Sequence, residues 1–221
     1  MDSFEGFEGG FAVAAVGGCD RTGVMTMKAA WYEQCGTAAD VLQVGEMAVP
    51  EAGDGEVLVR VRASGINPVD VKRRLGARGG QDAARGVPHF DGAGVIEAVG
   101  AGVSADRIGE RVWIFGGQWQ RDFGTAAEYI SLASRQAVAL PGEVGFAAAS
   151  CLGIPALTAH RAVHIGGCVE DETVLVTGGA GAVGRYAVQF AKMAGARVIA
   201  TVSSDEKAES ARVAGADEVI N

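Results

Sequence analysis

The chain has 221 residues, 48% hydrophobic and 21% charged, the proportions of a globular protein with one large domain or two modest ones. Its formal charge of -8 repels nucleic-acid phosphates and anionic membrane surfaces, so neither is an expected partner. Cys19, Cys35, Cys151 and Cys168 form no C-x-x-C pair, which argues against a zinc knuckle, an iron–sulfur site or a redox dithiol and leaves small buried or incidental thiols. No apolar run approaches the roughly 18 residues of a membrane helix, and a cytoplasmic location is the expectation.

Residues 1–26 include a short apolar stretch, Phe11–Val16, but Asp2, Glu5 and Glu8 stand where an export signal carries positive charge. A disordered extension or an upstream start is expected there, with no site. From Met27 to about Pro141 the pattern is one of short strands between glycine turns, and the chain's 34 glycines are about twice the usual share of roughly 7%. "EVLVRVRASG" puts Val57, Val59 and Val61 on one face and Leu58, Arg60 and Arg62 on the other, a period-two strand with a Ser-Gly stop. "GAGVIEAVGAGV" and "GERVWIFGG" read as two further strands, which together predict a barrel-like or sandwich β domain.

Near Ala147 the pattern changes. "AAASCLGIPALTAHRAVHIGG" spaces its apolar residues by three and four, with Pro155 interrupting, so helical segments around a kink are predicted. Then "ETVLVTG" is a strand, "GAVGRYAVQFAKMAG" a helix closed by Gly195, "RVIATV" a strand, "DEKAESARVAG" a helix closed by Gly215, and "DEVIN" a third strand. Glycine suits a left-handed helix cap, and a β-α-β-α-β run implies a parallel sheet with right-handed crossovers.

Gly179-x-Gly181-x-x-Gly184 falls where the first of those strands feeds its helix, the context that gives this pattern meaning. The first glycine allows a tight turn, the second lets the backbone approach a pyrophosphate, and the third lets helix and strand pack closely. The amides of the helix start then hold phosphates. At the tip of the second strand "ATVSSDEK" offers Ser203, Ser204 and Lys207, which suit a 2′-phosphate and favour NADPH. Asp205 and Glu206 keep NAD open if they turn inward to the ribose.

These residues carry a resemblance. The stretches "ASGINPVDVKRRLG", "HFDGAGVIEAVGAGV", "GERVW", "GTAAEY", "LGIPALTAHRAV", "VLVTGGAGAVGRYAVQFAKMAG" and "GADEVIN", in order from Met27 to Asn221, resemble the medium-chain dehydrogenase/reductases, specifically zinc-independent quinone oxidoreductases similar to zeta-crystallin. The resemblance implies an α/β plus β architecture: a GroES-like β domain over 27–146, then a partial Rossmann domain, a doubly wound parallel sheet, from 147 to 221. NADPH and a small quinone or enone would share the cleft between them.

Where zinc-dependent relatives have metal ligands, this chain has Asn67, Phe90 and Ile154, so no catalytic metal is expected; His89, beside Phe90, reads as a structural histidine. By resemblance, Asn67 and Thr158 lie near the nicotinamide and position the reactants, and Lys72 takes a cofactor-contacting position. Gly179, Ala180, Gly181, Ala182, Val183 and Gly184 form the pyrophosphate loop, with Ser203 and Lys207 on the 2′-phosphate side. Asp70 is a brace for the Asn67 turn and His160 a helix residue at the domain junction. The implied reaction is hydride transfer from NADPH to a quinone, with enone or enoyl-thioester reduction, or NADPH binding without catalysis, as alternatives. The chain ends after the third parallel strand, which would leave the first strand as an open edge. The family's remaining half is expected to be missing, with low stability and weak activity in the piece given, and homo-oligomerisation is expected of the full-length form.

Overall fold

In a computed structural model, residues 25–77 and 85–221 are described; the reading of residues 1–24 lies outside them. Strand β1 starts one residue ahead of Met27: it covers Thr26–Trp31 and pairs antiparallel with β2, Gln43–Ala48, across the short helix α1, Ala38–Val41. The period-two segment becomes β3, Glu56–Gly65, followed by α2, Pro68–Arg74. Proline at the first helical position suits α2, since that N–H has no intrahelical partner in any case.

Strand β4 covers Asp91–Val99, β5 Arg111–Ile114, β6 Tyr129–Ala133 and β7 Ala137–Ala139. With β3 they form a five-stranded antiparallel sheet in the order β6-β3-β4-β5-β7. Its buried face follows the alternation in the sequence: Val57 and Val59 are fully covered and pack with Ile96, Val112, Ile130 and Leu132. On the other face Arg60 reaches Glu97 on the neighbouring strand at 3.4 Å. Register shifts between Leu58 and Val59 and between Val61 and Ala63 bend β3 as bulges do.

Helix α3, Phe146–Ala149, leads into a π-helical turn over Leu152–Ala156 and then α4, Leu157–His164. Pro155 lies inside the π turn, so the kink read from the sequence takes the form of a widened turn. Strand β8, Thr173–Val176, α5, Ala182–Met193, β9, Arg197–Thr201, α6, Asp205–Val213, and β10, Glu218–Ile220, complete the run. The three strands are parallel in the order β10-β9-β8. Both expected glycine caps are left-handed, with φ of +86° at Gly195 and +109° at Gly215.

Ala159 and Val163 of α4 join Ala187, Val188 and Ala191 of α5 in one apolar core, which ties the helical junction to the nucleotide-type sheet. Strand β8 is an edge of that sheet, with Leu175 60% exposed, as expected of an open edge. Cys35, Cys151 and Cys168 are free and exposed, so none of these three is a core thiol. Among the described residues no helix is long and apolar enough to cross a membrane.

Candidate functional site

The glycine loop is tied to the tip of β9. The Gly178 amide donates to the Thr201 hydroxyl at 3.2 Å and the Gly179 amide to the Thr201 carbonyl at 2.9 Å. The tight turn is made one residue before the motif: Gly178 has φ +66°, whereas Gly179 is not left-handed. Gly179 is instead required by packing, since a Cβ there would stand 2.7 Å from the Ala200 Cβ on β9. At Gly184 a Cβ would lie 2.1 Å from the Gly178 carbonyl oxygen, so that glycine seats helix α5 on the loop. At Gly181 a Cβ would meet one atom within 4 Å, the Gly178 carbonyl oxygen in a tight contact at 3.3 Å, and the rest of that side is open to a ligand.

Above this loop lies a cavity of about 410 Å³, lined by Gly178, Ala180, Gly181, Thr201, Ser203 and Lys207, with Val202. The Lys207 ammonium donates to the Ser203 hydroxyl at 2.8 Å, and Ser204 caps α6 by accepting from the Lys207 amide at 3.3 Å. Asp205 accepts from the Asn221 carboxamide at 3.2 Å. Neither Asp205 nor Glu206 lines the cavity. Ala182 and Val183 occupy the first turn of α5, where backbone amides lack intrahelical acceptors.

A second cluster joins the β sheet to the helical junction. Asp91, at the start of β4, is fully buried, and its Oδ2 accepts from the Asn67 carboxamide at 2.8 Å and from the Ile154 amide at 2.7 Å. Its Oδ1 has no partner, and a Cβ at Gly153 would fall 2.1 Å from it. Burial raises the Asp91 pKa, and the hydrogen bonds from Ile154 and Asn67 oppose that rise. Asn67 and Ile154, both expected at former metal-ligand positions, are thus bound to one carboxylate. Among the described residues no three His, Cys, Asp or Glu side chains converge as a metal site.

Asp70 braces the Asn67 turn by accepting from the Asn67 amide at 2.6 Å. Burial, partly offset by that bond and reinforced by nearby Asp91, raises its pKa from 3.8 to about 6. A carboxyl that binds its proton more tightly when folded contributes stability at low pH and loses it as pH rises through the folded value. Asp70→Asn keeps an acceptor for Asn67 and removes the charge. Its Tm is therefore expected to match the unmodified chain near pH 4 and exceed it by roughly 5 °C near pH 7, which thermal melts across that range would read.

Between the sheet and the junction opens a cavity of about 420 Å³. Phe90, Phe115, Ile154 and Leu157 form apolar walls, Thr158 contributes a hydroxyl, and Trp119, Arg135 and Gln136 stand on the β side. The Gln136 carboxamide donates to the carbonyls of Gly116 at 2.9 Å and Phe115 at 3.2 Å, while Arg73 donates to those of Gln118 at 2.9 Å and Arg121 at 3.1 Å. Four donated bonds therefore pin the loop that carries Trp119.

The sequence-predicted residues divide accordingly. Ala180, Gly181, Ser203 and Lys207 meet at the glycine loop, with Gly179 and Gly184 packed beneath them. Thr158 lines the larger cavity, and Asn67 lies behind its wall, bound to Asp91. Lys72 is exposed on α2 and lines neither cavity. His89 has φ +83° and bonds Ser64 at 2.8 Å, with burial lowering its pKa; His160 packs on His164 and Phe190. Asp91, Trp119, Arg135 and Thr201 were not singled out from the sequence. Of these only Thr201 carried a signal, as the last hydroxyl of a strand beside the loop.

Comparison with known proteins matches both halves. Residues 53–142 match the alcohol dehydrogenase GroES-like domain and residues 182–221 the zinc-binding dehydrogenase family. The quinone oxidoreductase of Homo sapiens is 36% identical over 202 residues, covering 90% of this chain and 60% of that protein. The 2-methylene-furan-3-one reductase of Solanum lycopersicum is 35% identical over 204 residues, covering 88% and 52%. A mycobacterial quinone oxidoreductase structure superposes with TM-score 0.77 at 34% identity, over 88% of this chain and 58% of that one. The chain spans about 60% of the length of the quinone oxidoreductases it matches. With the β unit, the parallel β-α-β-α-β run and the glycine loop all in family order, the chain belongs to the medium-chain dehydrogenase/reductase family.

Proposed function

We propose that this chain belongs to an enzyme that reduces quinones with NADPH, residues 147–221 holding the dinucleotide and residues 27–146 forming most of the acceptor wall. The observation that carries the reading is the one groove shared by the Gly178–Gly181 loop and the Ser203–Lys207 pair. The amides of Ala182, Val183 and Gly184, at the positive end of α5, suit a pyrophosphate. Lys207 and Ser203 suit a 2′-phosphate, and no carboxylate among the lining residues opposes it. A mycobacterial relative, 32% identical with TM-score 0.75, was solved in complex with NADPH.

When bound, the dihydronicotinamide supplies a hydrogen with its electron pair; the quinone takes that hydride and a proton from water to become the hydroquinone. The chain's own part is positioning. Phe90, Phe115 and Leu157 exclude water from one side of the acceptor, and Thr158 offers a hydroxyl to its oxygen. Asp91 holds Ile154, and with it the turn that carries this wall. Reduction of an activated enone uses the same transfer and is the second reading, favoured by the tomato relative.

Following nicotinamide absorbance with a small quinone or an enone tests this directly. NADPH oxidation that requires the quinone, and is slower with NADH, is expected. Oxidation with the enone alone selects the second reading, and tight NADPH binding without turnover of either acceptor contradicts hydride transfer.

A further inference from the structure

The larger cavity has a charge character that quinone reduction alone does not require. Of its lining residues one is ionic, Arg135, on the short turn Ser134–Gln136. Arg135 is exposed and makes no hydrogen bond or ion pair with any described residue, whereas Arg73, Arg107 and Arg111 are each committed to backbone carbonyls. No Asp or Glu lines the cavity. On a chain with net charge -8, a free guanidinium at an apolar cavity is a local reversal of the surface field, and its planar fork of donors suits an anionic oxygen group.

Trp119 lines the same cavity, 65% exposed on the pinned loop. Phe90 and Phe115 line the same cavity. Aromatic rings at the mouth and wall favour a flat aromatic ligand over a flexible aliphatic one, and about 420 Å³ is within the range of small-ligand sites.

We propose that the acceptor is a planar aromatic quinone bearing an anionic substituent, with Trp119 as the stacking surface and Arg135 as the residue that selects the charge. The inference rests on the acceptor reading of the same cavity. Its test is binding, read by quenching of tryptophan fluorescence in the full 221-residue chain at low salt, with Trp119→Phe identifying the responding ring. Two probes share one ring system: anthraquinone-2-sulfonate and neutral 2-(hydroxymethyl)anthraquinone.

The sulfonate is expected to bind about tenfold more tightly, as one charge-assisted contact provides, and the preference shrinks as salt rises. In Arg135→Gln the two Kd values converge to within about twofold, while Arg135→Lys keeps part of the preference. Equal binding of the two probes by the unmodified chain, or a preference that survives Arg135→Gln, overturns the charge assignment and leaves quinone reduction standing. Failure of both probes to bind overturns the acceptor reading together with it.

Discussion

Gly184→Ala is expected to destabilise the chain by about 3 kcal/mol and to weaken NADPH binding on the order of a hundredfold. The added Cβ meets only backbone: the Gly178 oxygen at 2.1 Å, its carbon at 2.8 Å and the Gly179 Cα at 3.0 Å. No flexible side chain can yield, so α5 must lift off the loop. Its first-turn amides then move away from where a pyrophosphate would sit. Gly181→Ala separates packing from binding. There the backbone has φ -75°, ordinary for alanine, and the nearest atom to a new Cβ is 3.3 Å away. Stability should change by less than about 1 kcal/mol, yet the methyl enters the groove and NADPH affinity should still fall. Urea midpoints and nucleotide titrations on the two variants read these effects independently.

Asp91→Ala has the second large effect, a loss of about 3 kcal/mol. It strands the Asn67 carboxamide and the Ile154 amide, both of which depend on the one carboxylate oxygen. Since Asp91 lies on β4 and Ile154 on the π turn, the variant also loosens the attachment of the acceptor wall. KM for the quinone should rise more than the Kd for NADPH. Asp91→Asn is expected to cost less than Asp91→Ala, because its carbonyl oxygen still accepts both bonds, while its NH2 takes the buried Oδ1 position with no acceptor.

The contrast between these two sites shows what a linear sequence displays. The loop is local: strand, glycines and helix follow one another within about a dozen residues, so the close packing at Gly184 was legible from the spacing alone. Only the residue taking the left-handed turn differed, Gly178 in place of Gly179, because the packing demand at Ala200 comes from β9 and leaves no local mark. Asp91 was visible merely as part of "HFD"; its bond to Ile154 spans 63 positions, and nothing in either segment announces the pairing. Trp119 and Arg135 sit in irregular or single-turn segments, where no periodicity distinguishes a ligand wall from an exposed surface residue. Strands β2, β6 and β7 escaped notice because β2 buries none of its residues and carries Gly45 mid-strand, while β6 and β7 run together through one short turn with no glycine to separate them.

The central claim is that the Gly178–Gly181 loop and Lys207 hold one dinucleotide and select its 2′-phosphate. The most direct measurement is a fluorescence titration of NADPH and NADH against the chain and against Lys207→Ala. NADPH should bind at least about tenfold more tightly than NADH to the unmodified chain, one charge-assisted contact being sufficient for that ratio, and Lys207→Ala should abolish the difference while leaving NADH unchanged. Equal affinity for the two dinucleotides, or a preference that persists without Lys207, would contradict the account.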